Sequence, residues 1–184
     1  MKRWRRLAAL LAAGVIMAIS LCGCNVVLLL DNLDGTASPK TFTSDDGRFS
    51  LTATDAWERD TSPENRVVDL MIDRLVNWEG YVMVFSENKT DYTDMTLEAY
   101  AEGLSKDLGD SWEDTVIERT DFAGYPAYTF VLQGTVNQIR VTYRAYCLET
   151  GDSYVRLLGW MRASDWEEHE SELQQVMDTL TIEE

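Results

Sequence analysis

Cys24 follows Gly23 at the end of an apolar stretch, which makes it the thiol of this chain best placed for covalent chemistry. Lys2, Arg3, Arg5 and Arg6 form a basic leader, and residues 7–21 carry no charge. A basic leader, an apolar run, a small residue and then a cysteine read as a secretory signal peptide ending in a lipoprotein box. The expected chemistry is a thioether between the Cys24 thiol and diacylglycerol, then cleavage between Gly23 and Cys24. Cys24 becomes the new N-terminus, anchored by fatty chains of the palmitate type. Two buried acyl chains, at about 0.8 kcal/mol per methylene, turn marginal membrane binding into stable anchoring. The competing reading is an uncleaved signal anchor. Residues 7–21 are too short to span alone, since a helix needs roughly 20 apolar residues, but Val26 to Leu30 could extend the run. Both readings place the body of the chain on the extracytoplasmic face of a bacterial cell membrane. Arg5-Arg6 is preceded by no Ser or Thr, so the general secretory route is expected rather than a twin-arginine one.

Little else in the sequence is equipped for a reaction. His169 is the only histidine, so any Ser-His, Cys-His or His-clustered zinc chemistry has to pass through it. It lies amid Glu167, Glu168 and Glu170, as a solvated boundary histidine would. With Cys22 leaving in the leader and Cys24 acylated, Cys147 has no disulfide partner. It alternates with Tyr143 and Ala145, the pattern of an inert core thiol. The chain has 32 Asp and Glu, so adjacent carboxylates arise by composition alone. No calcium-loop spacing, phosphate loop or nucleophile elbow is present. The Asn88-Lys89-Thr90 sequon carries no weight beside a bacterial lipoprotein box. No catalytic residue, metal ligand or cofactor is therefore expected. Of the tryptophans, Trp57, Trp112, Trp160 and Trp166 fall where core packing explains them. Trp78, in an expected turn beside Glu79-Gly80, is the candidate partner-contact residue.

Composition narrows the partners. Without residues 1–23 the chain keeps 12 Lys and Arg against 32 Asp and Glu, a formal charge of −20. Such a field repels nucleic acid and anionic head groups and favours a basic protein or loosely held cations. Three segments are expected: a signal peptide over 1–23, a lipidated N-terminus and tether over 24–40, and one globular domain over 41–184. Asp31-Asn32, Asp34-Gly35 and Ser38-Pro39 supply the tether's loop chemistry.

Within the domain, Phe49, Leu51 and Ala53 alternate after the Ser44-Asp45-Asp46-Gly47 turn, which predicts a strand, and Trp57 follows as a core plug. Tyr81 to Phe85 reads as a strand apolar on both faces. Leu97, Tyr100, Ala101, Leu104 and Leu108 then mark a helix stripe between an N-capping Thr96 and Gly109. Strands are predicted over Trp112 to Thr120 (a polar edge), Ala127 to Gly134, Gln138 to Leu148 and Tyr154 to Met161. Gly124-Tyr125-Pro126 is read as the turn between the first two. Ser164-Asp165-Trp166-Glu167 has the form of a capping box for a last helix carrying Leu173, Val176 and Met177 on its apolar face. Residues 64–76 support two readings. Val68, Met71, Ile72 and Leu75 have helical spacing after Ser62-Pro63-Glu64, yet Val68, Leu70 and Ile72 alternate against Asp69 and Asp73. A hairpin with the Tyr81 strand favours the strand reading. The sum is an α+β domain, a mainly antiparallel sheet flanked by two amphipathic helices.

Three segments carry a resemblance. Asp46 to Leu51 followed by Trp57, Met95 to Tyr100, and Gly124 to Tyr128 are similar to small bacterial envelope lipoproteins of the PsbP-like superfamily. The likeness spans roughly residues 41–182 and implies an α/β/α sandwich around an antiparallel sheet. It implies non-enzymatic binding and transfers no functional residue. The expected function is a membrane-anchored extracytoplasmic binding module for a protein or small ligand. The alternatives are a ligand-binding accessory lipoprotein of a transport system and, third, an enzyme.

Overall fold

Alternation of apolar and polar side chains builds most of this protein, because each strand must bury one face and the central strands bury both. The computed structural model describes residues 38–62, 67–109 and 114–183. The order of elements is β1 (Lys40–Thr43), β2 (Phe49–Ala53), β3 (Glu58–Arg59), β4 (Leu70–Arg74), β5 (Gly80–Asn88), α1 (Leu97–Leu108), β6 (Glu118–Phe122), β7 (Tyr125–Val136), β8 (Ile139–Glu149), β9 (Ser153–Arg162), α2 (Trp166–Met177) and β10 (Thr181–Ile182). A seven-stranded antiparallel sheet runs β3-β4-β5-β9-β8-β7-β6, and a second sheet of three strands runs β1-β2-β10. This is the expected α+β architecture with two flanking helices. The three-stranded sheet is an addition, because the two residues of β10 are too few to show a period.

The larger sheet has a helix on each face. On one face Val82, Val84, Leu148, Val155 and Leu157 join Leu173, Val176 and Met177 of α2, and β2 closes the same core with Phe49, Leu51 and Ala53. On the other, Val141, Tyr143, Ala145 and Cys147 of β8 and Phe130 and Leu132 of β7 meet Leu97, Tyr100, Ala101 and Leu104 of α1. Two glycines seat the helices. A Cβ on Gly159 would lie 2.5 Å from Met177 Sδ of α2, and one on Gly134 would lie 2.5 Å from the Leu108 carbonyl of α1. Each helix approaches the sheet where a strand lacks a side chain.

Residues 70–74 are a strand, paired with β5 from Leu70↔Val84 to Arg74↔Gly80. The cross-strand ladder outweighs the local helical spacing. Thr96 caps α1, its hydroxyl accepting from Ala99 N at 3.1 Å, and Gly109 ends the helix. The capping box of α2 does not form. Asp165 sits at the N-cap with helical dihedrals and no side-chain cap bond, while Ser164 Oγ donates to Asp165 Oδ1 at 2.8 Å. The backbone is already turning there, with Asp165 N bonded to Arg162 O at 3.0 Å, so the serine is diverted. The edge strand begins at Glu118 rather than Trp112, and β7 begins at Tyr125 rather than Ala127. The turn sets this register. Ala123 and Gly124, at φ 51° and 85°, form a two-residue hairpin connection that pairs Phe122 with Tyr125. Pro126 fits inside β7 because the ladder with β8 begins only at Ala127.

Candidate functional site

α1 rests mainly on β7 and β8 and meets β5 and β9 at its N-terminal end, where Tyr100 bonds Glu87 and stacks on Tyr154. On that face, Tyr81 of β5 stands opposite Trp160 of β9 in the ladder, with Met83 opposite Leu158 and Phe85 opposite Arg156. Tyr81, Met83, Phe85 and Trp160 are all half-buried. This half of the sheet therefore presents aromatic and apolar side chains that α1 leaves partly open.

This surface contains a cleft of about 300 Å³. Its floor is the Tyr81 and Trp160 rings, stacked with centroids 4.2 Å apart at 12°. Its walls are Met71, Val136, Ile139 and Val141, and Asp60, Glu79, Asn137 and Arg162 stand at its rim. The Tyr81 hydroxyl donates to Glu79 Oε1 at 2.7 Å and Arg162 Nη2 donates to Glu79 Oε2 at 2.6 Å. Those two bonds hold the Glu79 carboxyl below its ordinary range. Burial, reinforced by the bond to Glu79, raises the Tyr81 phenol, so the ring stays neutral and its hydroxyl is committed as a donor. A larger hollow of about 590 Å³ lies between Asp46, Arg48, Asp152 and Glu183. Arg48 is already spent there on Asp152 at 2.9 Å and Ser153 at 3.1 Å, tying the β8–β9 loop to β2. The smaller, apolar-walled cleft is the better candidate.

Asp73 pairs with Tyr81 across the ladder and with Glu58 on its other side. Its carboxyl is raised, first by burial and then by the negative charges of Asp60 and Glu58. A carboxyl whose folded pKa is raised destabilises the fold above that pKa, and the penalty disappears below the unfolded value. Asp73→Asn should therefore stabilise the protein at neutral pH, with the gain vanishing as pH falls below about 4. Denaturant midpoints of the two proteins at pH 7 and pH 3 check this. A variant less stable at neutral pH would show that Asp73 is held by a favourable contact.

The remaining sequence candidates lie elsewhere. Gly23, Cys24 and Trp112 fall outside the described residues. Trp78 is buried at 4 % exposure rather than displayed in its turn. Its ring folds across Gly80, where a Cβ would lie 2.0 Å away, meets Trp57 edge-on at 5.8 Å and stacks on His169 at 4.9 Å. The glycine two residues on was the signal, since only a bare backbone leaves room for the ring. His169 is thus a half-buried boundary residue on α2, with Glu168 Oε1 at 3.9 Å. Cys147 belongs to the core under α1, on the opposite face of the sheet from the Trp78 cluster, so the two do not form a Cys-His pair.

Cys147 is fully buried, and burial pushes its thiol up to about 12. The thiolate is the reactive form, so a bulky thiol reagent should label the native domain slowly and the denatured chain quickly. Cys147→Ser should cost about 1–3 kcal/mol, because the serine hydroxyl enters an apolar site. Fast native labelling would contradict the packing of α1 over β8. That packing is pinned at the N-terminal end of the helix. The Tyr100 hydroxyl bonds Glu87, and the Tyr154 hydroxyl donates to the Met95 carbonyl at 2.5 Å.

The arrangement of elements has known counterparts. Cyanobacterial PsbP (CyanoP) from Synechocystis sp. PCC 6803 superimposes with a TM-score of 0.58 at 15 % identity, over 82 % of this chain and 95 % of that one. The fold is PsbP-like. LpqN, involved in cell envelope biogenesis of Mycobacterium tuberculosis, matches this PsbP-like domain at 0.53 and 12 % identity, over 85 % of this chain and 95 % of its own. A protein from Bacteroides thetaiotaomicron matches at 0.52 and 12 % identity, over 79 % of this chain. The chain spans about half, 48 %, of that protein's length. No family model and no curated protein matches the sequence. At these identities the likeness is one of fold, and function has to be argued from the cleft.

Proposed function

We propose that this protein is a lipid-anchored extracytoplasmic binding module without catalytic activity of its own, which engages a partner through the Tyr81–Trp160 cleft. The observation that carries the reading is the open half of the sheet. α1 covers β7 and β8, and the aromatic row on β5 and β9 is left half-exposed beside a preformed cleft. Half-buried aromatic side chains on a rigid sheet are the usual anchors of a protein interface. The row continues past the cleft through Met83 to Phe85, a longer surface than a small solute fills, which favours a polypeptide partner over a transported ligand. Involvement of the similarly folded LpqN in cell envelope biogenesis agrees with a role at the cell surface.

A photo-crosslinking residue placed in intact cells tests the reading. Ile139 lines the cleft and is 44 % exposed, whereas Val131, 40 % exposed, lies on the opposite face of β7. Discrete adducts are expected from position 139 and none from 131. Adducts of equal yield at both positions, or none at 139, would overturn it.

A further inference from the structure

We infer that the Tyr81–Trp160 cleft accepts a lysine or arginine side chain from a basic segment of the partner polypeptide. The inference rests on the reading of the cleft as the docking surface and adds the chemistry of what enters it. The floor is the stacked Tyr81–Trp160 pair, in which each ring covers one face of the other and keeps its outer face, and aromatic faces attract cations. Among the described residues at the rim, Asp60 and Glu79 are negative and Arg162 positive, and the Arg162 guanidinium is already bonded to Glu79. Asp73 and Glu58 continue the negative charge along the same side of the sheet, next to Tyr81. The raised Asp73 carboxyl shows that these charges act on one another in a partly desolvated place. A cation on the aromatic floor relieves that repulsion, and a neutral or acidic group does not.

Charge also decides between occupants. Residues 25–39, the segment preceding β1, contain no lysine or arginine and three of them are apolar leucines in a row, so they bring nothing to an acidic rim. A second copy, without residues 1–23, brings a formal charge of −20 against the same sign. A basic partner is the occupant that both the floor and the rim suit.

The test uses the full chain in detergent micelles and follows the indole N–H resonance of Trp160, assigned by its loss in Trp160→Phe. The probes are a tetra-arginine peptide, a tetra-glutamine peptide and cellotetraose. Tetra-arginine should move the resonance saturably, with affinity falling as salt rises. Asp73→Asn and Asp60→Asn should each weaken it about five- to tenfold, as loss of one charge partner at a partly desolvated site does. Glu98→Gln, on the exposed side of α1, should leave it unchanged, which separates the cleft from general attraction to an acidic protein. Asp73→Asn is expected to be the more stable protein, so a loss of binding is not a loss of fold. Saturable binding of tetra-glutamine or cellotetraose as tight as that of tetra-arginine would overturn the cationic assignment and leave the cleft standing as a docking surface. So would indifference to both Asp substitutions. No movement of the Trp160 resonance with any probe would remove the cleft as a docking surface together with the inference.

Discussion

Cys24→Ala should abolish both the lipid attachment and the processing of this protein. On the proposed lipoprotein reading a thioether to diacylglycerol needs the Cys24 sulfur and cleavage after Gly23 would follow lipidation, so the substitution should remove attachment and processing together. Each methylene of an acyl chain contributes about 0.8 kcal/mol of membrane affinity, and two chains make release negligible on a cellular timescale. Without them, what remains is a domain of strongly acidic composition and the unprocessed leader. Among the described residues no helix is long and apolar enough to cross a membrane. Metabolic labelling with a fatty-acid analogue should mark the wild type and not Cys24→Ala, and intact-mass measurement should find the wild type beginning at a modified Cys24. Equal labelling of both proteins would sink the lipoprotein reading. An N-terminus still at Met1 in the membrane-bound wild type would establish the signal anchor instead.

The parts of the fold visible in the sequence are those where one local rule acts alone. Phe49, Leu51 and Ala53 alternate and all three are buried. Thr96 and Gly109 bracket an apolar stripe and the helix between them ends where they stand. Where two local rules compete, long-range pairing decides. Ser164-Asp165 matches a capping box, but the turn from Arg162 uses the backbone first. Pro126 looks like turn punctuation, yet the hairpin connection at Ala123-Gly124 places it within a strand. The candidate site was less legible for a related reason. Tyr81 and Trp160 have the same types and alternation as core residues, and Trp160 reads as core packing. What exposes them is the position of α1, which lies over β7 and β8 because Gly134 admits its C-terminal turn there. Sequence spacing gives a helix an apolar face without giving the strands on which that face settles. Trp78 erred in the opposite direction, since its turn position suggests exposure while the gap at Gly80 draws the ring inward.

The largest loss of stability should come from Trp57→Ala. Trp57 has 0 % exposure and stands edge-on to Trp78 at 5.8 Å. Trp78 in turn stacks on His169 of α2 and lies under the Arg74 guanidinium, 5.1 Å away. The column Trp57–Trp78–His169 therefore joins the segment after β2, the β4–β5 turn and the last helix. Truncating a buried tryptophan to alanine costs about 3–5 kcal/mol, a large fraction of a domain's whole stability of about 5–15 kcal/mol, so the variant's urea midpoint should fall steeply. Trp57→Phe separates the causes. Trp57 Nε1 has no hydrogen-bond partner among the described residues, so phenylalanine forfeits volume and edge contact without stranding a polar group. A cost of about 1–2 kcal/mol is expected for it, measured as a lower urea midpoint with an unchanged slope. The column also sets Glu79, the residue after Trp78, whose carboxylate anchors both the Tyr81 hydroxyl and Arg162 at the cleft. Trp57→Phe should accordingly leave the Trp160 indole resonance close to its wild-type position at low denaturant. A Trp57→Ala protein whose midpoint falls by the equivalent of less than 1 kcal/mol would show that the core does not depend on this column.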